Sequence, residues 1–221
     1  MRDCYQLTNM SFTLPQKLLT EFIGTFFLSL TICTAAIHGS ADEYVPFAIA
    51  STLMVVIYAG GHVSGAHYNP AVTISVYLRG SCDKDDVLPY IFSQVSAAMI
   101  AALVSEKLLT SEKDLSVELF SLSSEAVIAE FLFTFLLAYV ILNVATTEST
   151  SGNGYFGAAI ALVVLAGAIT VGDISLASFN PAVTSALIIS GKVSLSSSWM
   201  HFLPQFIGGI LAAYVYKFNT K

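Results

Sequence analysis

Charged side chains are scarce in this chain. They make up 11% of its 221 residues, where a soluble domain carries about 25%. That shortage excludes an ordinary water-facing surface. Cations are the rarer sign, nine Lys and Arg against fifteen Asp and Glu, for a formal net charge of −6. No basic patch is present for a phosphate backbone to rest on, so no nucleic-acid partner is expected. Cysteine is nearly absent. Cys4, Cys33 and Cys82 lack metal-ligand spacing, and three thiols leave one over in any disulfide framework, so all three read as free. The sequence offers no glycine-rich phosphate loop and no nucleophile–base pair. Neither an enzyme nor a cofactor is therefore expected. No cleavable signal is expected either, because the first apolar segment is too long for one.

Apolar runs are abundant. Hydrophobic residues reach 55% of the chain, and a helix needs about 20 apolar residues to cross a bilayer. Six segments meet that length: roughly 15–38, 44–61, 88–109, 123–146, 155–173 and 199–218. Two further apolar pieces, about 70–79 and 181–190, are half as long. Each begins with proline, which suits the first turn of a helix because its missing N–H is not needed there. Each is preceded by asparagine, a good N-cap. They read as half-helices that start inside the membrane and reach about halfway across it.

The two short pieces belong to a repeat. Residues 61–73, Gly-His-Val-Ser-Gly-Ala-His-Tyr-Asn-Pro-Ala-Val-Thr, match residues 172–184, Gly-Asp-Ile-Ser-Leu-Ala-Ser-Phe-Asn-Pro-Ala-Val-Thr, at eight of 13 positions. The tripeptides Asn69-Pro70-Ala71 and Asn180-Pro181-Ala182 stand 111 residues apart. Glu21 pairs with Glu130 at an offset of 109, and Gln94 with Gln205 at 111. Each half holds three spans and one half-span. Three is odd, so the second half enters from the opposite side, as an inverted repeat. The expected architecture is a single all-α membrane domain over residues 1–221, with repeats at about 15–109 and 123–218. Lys and Arg fall mostly on the segments that are inside when both termini are cytoplasmic. The sequon Asn9-Met10-Ser11 would then face the cytosol, unused. Irregular backbone is tolerated in lipid only where protein buries it or a wet cavity receives it. Two half-helix N-termini facing each other bring positive partial charge to the midplane. Asn69 and Asn180 add amide donors there. That arrangement disfavours cations and suits neutral solutes.

These residues closely resemble the aquaporin, or major intrinsic protein, family. Ser64-Gly65-Ala66-His67-Tyr68-Asn69-Pro70-Ala71-Val72-Thr73 follows the family signature almost letter for letter, and the likeness runs from about residue 17 to 217. The resemblance implies six tilted helices, two re-entrant half-helices, one pore per subunit and a homotetramer in a lipid bilayer. It gives Glu21 and Glu130 the task of holding the re-entrant loops, and His67 a structural or pore-lining place. The chain departs from the family at Val183, where most members carry Arg. By resemblance the remaining constriction positions are Ile49, Ala168 (or Gly167, one residue away) and Ala177. Water-selective members place an aromatic residue and His at the first two of these. Glycerol-conducting members place Asp where Thr184 stands. The chain fits neither pattern.

The expected function is passive conduction of water and small neutral solutes. Inverted repeats with broken helices also build secondary transporters, and the missing Arg leaves room for a non-conducting structural protein. His62 and His67 read as loop residues without a third metal ligand. His201 reads as interfacial, Asp173 as a solvated loop acid, and most of the 25 Phe and Tyr as lipid-facing.

Overall fold

A computed structural model describes residues 12–109 and 117–220. Arg2, Cys4, the sequon at Asn9, Lys113 and Lys221 lie outside the described residues. Eight α-helices form among the described residues: α1 Leu14–Ile32, α2 Val45–Ser64, α3 Pro70–Arg79, α4 Lys84–Val104, α5 Ser124–Ala145, α6 Phe156–Ser175, α7 Pro181–Ile189 and α8 Trp199–Asn219. No strand is present among them. Helix α1 continues into a π-turn over Cys33–Ile37, and α4 into another over Ser105–Leu109. The two extensions meet where the Thr34 and Ser105 hydroxyls lie 3.1 Å apart.

Local chemistry sets the ends. Helix α1 opens on Thr13, whose backbone N–H donates to Gln16 Oε1 at 2.8 Å, with Pro15 in the first turn. Helix α4 begins at Lys84, four residues earlier than the apolar run suggests, and takes in Pro89. Asp85 and Asp86 occupy its first turn, where the helix dipole favours acids. Asp86 also accepts from Lys17 Nζ at 2.7 Å, which ties α4 to α1. Five of the six long helices are apolar enough to cross a membrane by length and composition. Helix α8 is long enough at 21 residues but carries His201, Pro204 and Gln205. All three are buried inside the protein, where a polar side chain in a membrane helix belongs.

Packing interlocks the two halves. Helix α1 lies on α4 and α5 on α8, while α3 packs against α8 and α7 against α4. Each half-helix thus rests on the last long helix of the other half. Helices α2 and α6 pack on each other. Backbones approach most closely at α8. A Cβ added to Gly208 would meet the Phe131 carbonyl oxygen at 2.7 Å, and one added to Gly209 the Ala71 carbonyl oxygen at 2.8 Å. Small residues at helix contacts are how membrane helices gain dispersion energy without a hydrophobic drive. The core between the halves holds Leu28, Leu53, Ile57, Val72, Leu137, Ile160 and Val183.

Candidate functional site: a pore at the meeting of two half-helices

Helix α2 stops at Gly65, whose φ of 88° is left-handed. Helix α6 stops at Leu176 with φ of 64°, a conformation that costs an L residue about 1 kcal/mol. Each stop turns the chain into a four-residue loop that runs back to the next half-helix. In the first loop Ala66 and Tyr68 also have positive φ, and in the second Ala177 and Phe179 do. Five strained residues, at places that match across the repeat apart from Gly65 against Leu176, need an outside hold.

A buried glutamate supplies it in each half. Glu21 Oε1 accepts from the Ser64 hydroxyl at 2.6 Å and from His67 N–H at 2.9 Å, and its Oε2 accepts from Tyr68 N–H at 2.7 Å and Gln94 Nε2 at 2.8 Å. Glu130 repeats the set with Ser175 at 2.7 Å, Ser178 N–H at 3.0 Å, Phe179 N–H at 2.7 Å and Gln205 Nε2 at 2.7 Å. Both side chains are wholly shielded from solvent. Gln94 and Gln205 also donate to the Thr73 and Thr184 hydroxyls on α3 and α7. The carboxylates therefore fix loop and half-helix together.

The loops fold so that backbone N–H groups turn to the glutamates. The carbonyls of Gly65, Ala66 and His67, and of Leu176, Ala177 and Ser178, accept no hydrogen bond from the described residues. All of these residues except Gly65 line the first cavity described below. Asn69 caps α3 through Oδ1, which accepts from Ala71 N–H at 2.9 Å and Val72 N–H at 3.3 Å. Asn180 caps α7 the same way, from Ala182 N–H at 2.9 Å. Their amide groups cross between the halves. Asn69 Nδ2 donates to the Phe179 carbonyl and Asn180 Nδ2 to the Tyr68 carbonyl, both at 2.9 Å. Each amide has two hydrogens, so one N–H remains per asparagine.

Both asparagines line a cavity of about 310 Å³. Its lining includes Asp173 and Lys192, then Ile49, Ala168, Ala177 and Val183, and also Ile57, Ile141 and Ile160. A second cavity of about 800 Å³ opens beside Arg79. Its walls include the 146–153 segment, held by the Arg79 guanidinium donating to the Thr146 carbonyl at 3.0 Å.

The structure brings Ile49, Ala168, Ala177 and Val183 to one cavity. Ala168 lines it, whereas Gly167 instead faces the Phe179 and Phe133 rings. His67 lines the same cavity, with its ring on Tyr90 at 5.2 Å and Nδ1 3.2 Å from the Thr73 hydroxyl. Several expectations are corrected. His201 is not interfacial: it is fully buried, with Nδ1 3.3 Å from the Thr184 hydroxyl. Residue 201 is the repeat mate of Tyr90 and residue 178 that of His67. One half puts its imidazole on the loop and the other puts it on the long helix. His62 stands in the last turn of α2, edge-on to Phe12, and not in the loop. Asp173 belongs to α6 rather than to a loop, though it is exposed. Tyr68, Tyr90, Phe179 and Tyr216 are buried rather than lipid-facing. The reading of sequence passed over Ser64 and Ser175. Both were identical across the repeat, and a serine kept at the end of an apolar span beside a buried acid was the available signal.

Long apolar helices surrounding two capped half-helices, with free carbonyls and amides along a cavity between them, define a membrane channel. A family model for major intrinsic proteins matches residues 6–216. The chain belongs to that family: it is an integral membrane channel for water and small solutes, not an enzyme. It is 34% identical to aquaporin NIP1-2 of Arabidopsis thaliana, covering 96% of this chain and 76% of that one. It is also 34% identical to glycerol uptake facilitator protein-like 6 of Lactiplantibacillus plantarum, covering 90% and 95%. The crystal structure of the aquaglyceroporin from Plasmodium falciparum has the same fold, with a TM-score of 0.77, 22% identity and coverage of 92% and 96%.

Proposed function

We propose that each chain forms one pore that conducts water and small uncharged solutes, and that Ile49, Ala168, Ala177 and Val183 make a constriction without a fixed positive charge. One observation carries this reading. The half-helix N-termini meet across the cavity through two reciprocal asparagine bonds, which leaves donors and dipole ends at its centre. A cation there loses its water and meets two positive ends, whereas a neutral solute accepts from the asparagines and donates to the carbonyls. Relatives named as aquaporins and as a glycerol facilitator-like protein agree with a pore for water and neutral solutes. The test is stopped-flow light scattering on proteoliposomes with water, glycerol, urea and ammonia gradients. Fast unsaturable flux supports the channel, saturation indicates a transporter, and absence of flux indicates a structural protein.

Asn180 is expected to matter twice, as cap and as donor. Asn180→Ala removes a cap worth about 1 kcal/mol and leaves the Tyr68 carbonyl unpaired. We expect a lower melting temperature in detergent and reduced water flux. A variant that folds and conducts like the parent would remove Asn180 from the pore centre.

The two halves, 15–109 and 123–218, are read as an inverted repeat with both termini cytoplasmic and the 190–198 connection outside, in a homotetramer. A cysteine replacing exposed Ser196 is expected to react with an impermeant thiol reagent added outside, and labelling only from within would reverse the topology. The test protein carries Cys4→Ser, and among the described residues the native background is low. Cys33 is buried, and the thiol of Cys82 is pushed up to about 11 by burial and by Asp86, so little thiolate exists at neutral pH.

A further inference from the structure

The two cavities share Ile57 on α2, Ile141 on α5, Ile160 on α6 and the loop residue Ala66. These four lie where one space ends and the other begins. Along α2 the lining of the first cavity runs Ile49, Leu53, Ile57, and along α6 it runs Ala168, Val164, Ile160, so Ile57 and Ile160 stand at the opposite end of that cavity from Ile49 and Ala168. The pinch therefore falls on the Arg79 side of the asparagines, away from the constriction read from sequence.

The repeat supplies a physical reason. Ile160 is the mate of Ile49, Ile57 of Ala168 and Ala66 of Ala177, all at an offset of 111, and Ile141 is the mate of Ile32 at 109. All four mates line the Lys192-side cavity. The two rings thus match by pseudo-symmetry and differ at one side chain, Ile57 against Ala168. An alanine opens the Lys192-side ring, and an isoleucine fills its counterpart. Ile57 is 3% exposed and Ile160 5%, so close packing holds both in place.

We infer that Ile57, Ile141, Ile160 and Ala66 form the selecting neck of this channel and set the rate for solutes larger than water. The inference rests on the channel reading above. None of the four side chains is polar, so a solute sheds water there and finds only loop carbonyls as partners. Such a ring selects by size and by weak hydration. Ammonia passes most readily, urea less so, and glycerol least.

The test compares the parent with Ile57→Ala, Ala168→Ile and Ile49→Ala in proteoliposomes, under water, urea and glycerol gradients. Detergent melting curves check folding, and Ile57→Val serves as a milder variant. Ile57→Ala is expected to raise urea and glycerol flux several-fold, with a smaller change for water. Ala168→Ile gives the other ring the same side chains and is expected to lower both fluxes several-fold. Ile49→Ala, in the wider ring, is expected to raise both fluxes less than Ile57→Ala does. Urea and glycerol fluxes that stay parental in Ile57→Ala and Ile57→Val, or that rise more with Ile49→Ala than with Ile57→Ala, overturn the neck and leave the channel reading intact. No flux of any solute through any of these proteins overturns both.

Discussion

Glu130→Gln is expected to destroy the pore while leaving the long helices formed. The carboxylate of Glu130 receives four donors, two on each oxygen, in a site without solvent. Glutamine keeps one acceptor oxygen and turns an NH2 group toward two donors that then have no partner. Leaving a buried donor unsatisfied costs about 1–3 kcal/mol, and lost bonds to a charged group lie at the upper end. Two such losses come to roughly 4 kcal/mol, a large part of the 5–15 kcal/mol that typically separates folded from unfolded states. The orphaned pair is either the Ser175 hydroxyl with the Ser178 N–H or the Phe179 N–H with Gln205 Nε2, so in both cases the loop whose Leu176, Ala177 and Phe179 hold left-handed backbone loses one amide partner. With the hold gone, that loop relaxes and the α7 cap moves out of line. The expected readout is a large fall in melting temperature in detergent, or loss of the folded peak on size exclusion, together with loss of solute flux. Glu148→Gln, an exposed carboxylate at the far mouth, is expected to behave like the parent. A Glu130→Gln protein of parental stability would mean that water, rather than the carboxylate, satisfies the loop.

Val183→Arg is expected to change selectivity more than any other single substitution at the Lys192 side. Val183 is nearly fully buried and lines the same cavity as Ile49 and Ala168, the three standing on α7, α2 and α6. Arg brings a long side chain and five donors. The Leu176, Ala177 and Ser178 carbonyls accept nothing from the described residues and are close in sequence, so a guanidinium has acceptors to hold it. The ring then becomes narrower and positively charged. Urea and glycerol flux should fall by about tenfold, equivalent to about 1.4 kcal/mol on the barrier, while water flux falls less. Leu176 stands on the same loop with a left-handed backbone that glycine adopts freely, so the double change Leu176→Gly with Val183→Arg should show the full effect if the single one is muted. Equal loss of water and glycerol flux would mean that Arg simply plugs the pore.

The half-helices were the most legible part of the chain. Asparagine followed by proline marks a helix start in two residues, and the structure begins α3 at Pro70 and α7 at Pro181 as that signal requires. Glu21 and Glu130 stood out because an acid inside an apolar span needs partners. The span ends were less clear where charge entered the helix, as at Lys84. The orientation of each long helix was not legible at all. Lipid and protein interior are both apolar, so hydropathy does not separate the face of α2 that carries Ile57 to the cavity from the face that carries Val55 to lipid. His201 was misread for the same reason: a histidine near a helix end looks interfacial until Thr184 and α7 are placed beside it.

The reciprocal asparagine bonds impose an order on biosynthesis. When Tyr68 and Asn69 leave the ribosome, the residues that will pair with them, Phe179 and Asn180, have not been made. Translation at about 5–20 residues per second puts those partners on the order of 10 s later. For that interval the first re-entrant loop has only Glu21, already synthesised, to accept from its amides, with Gln94, soon to follow, donating to that carboxylate. The first carboxylate thus acts as a holding clamp for an unfinished turn, and the second closes on a loop whose partner is waiting. A chain stopped after α4 is expected to keep its Glu21 bonds and lack a pore centre, because the donor of one half ends on the carbonyl of the other.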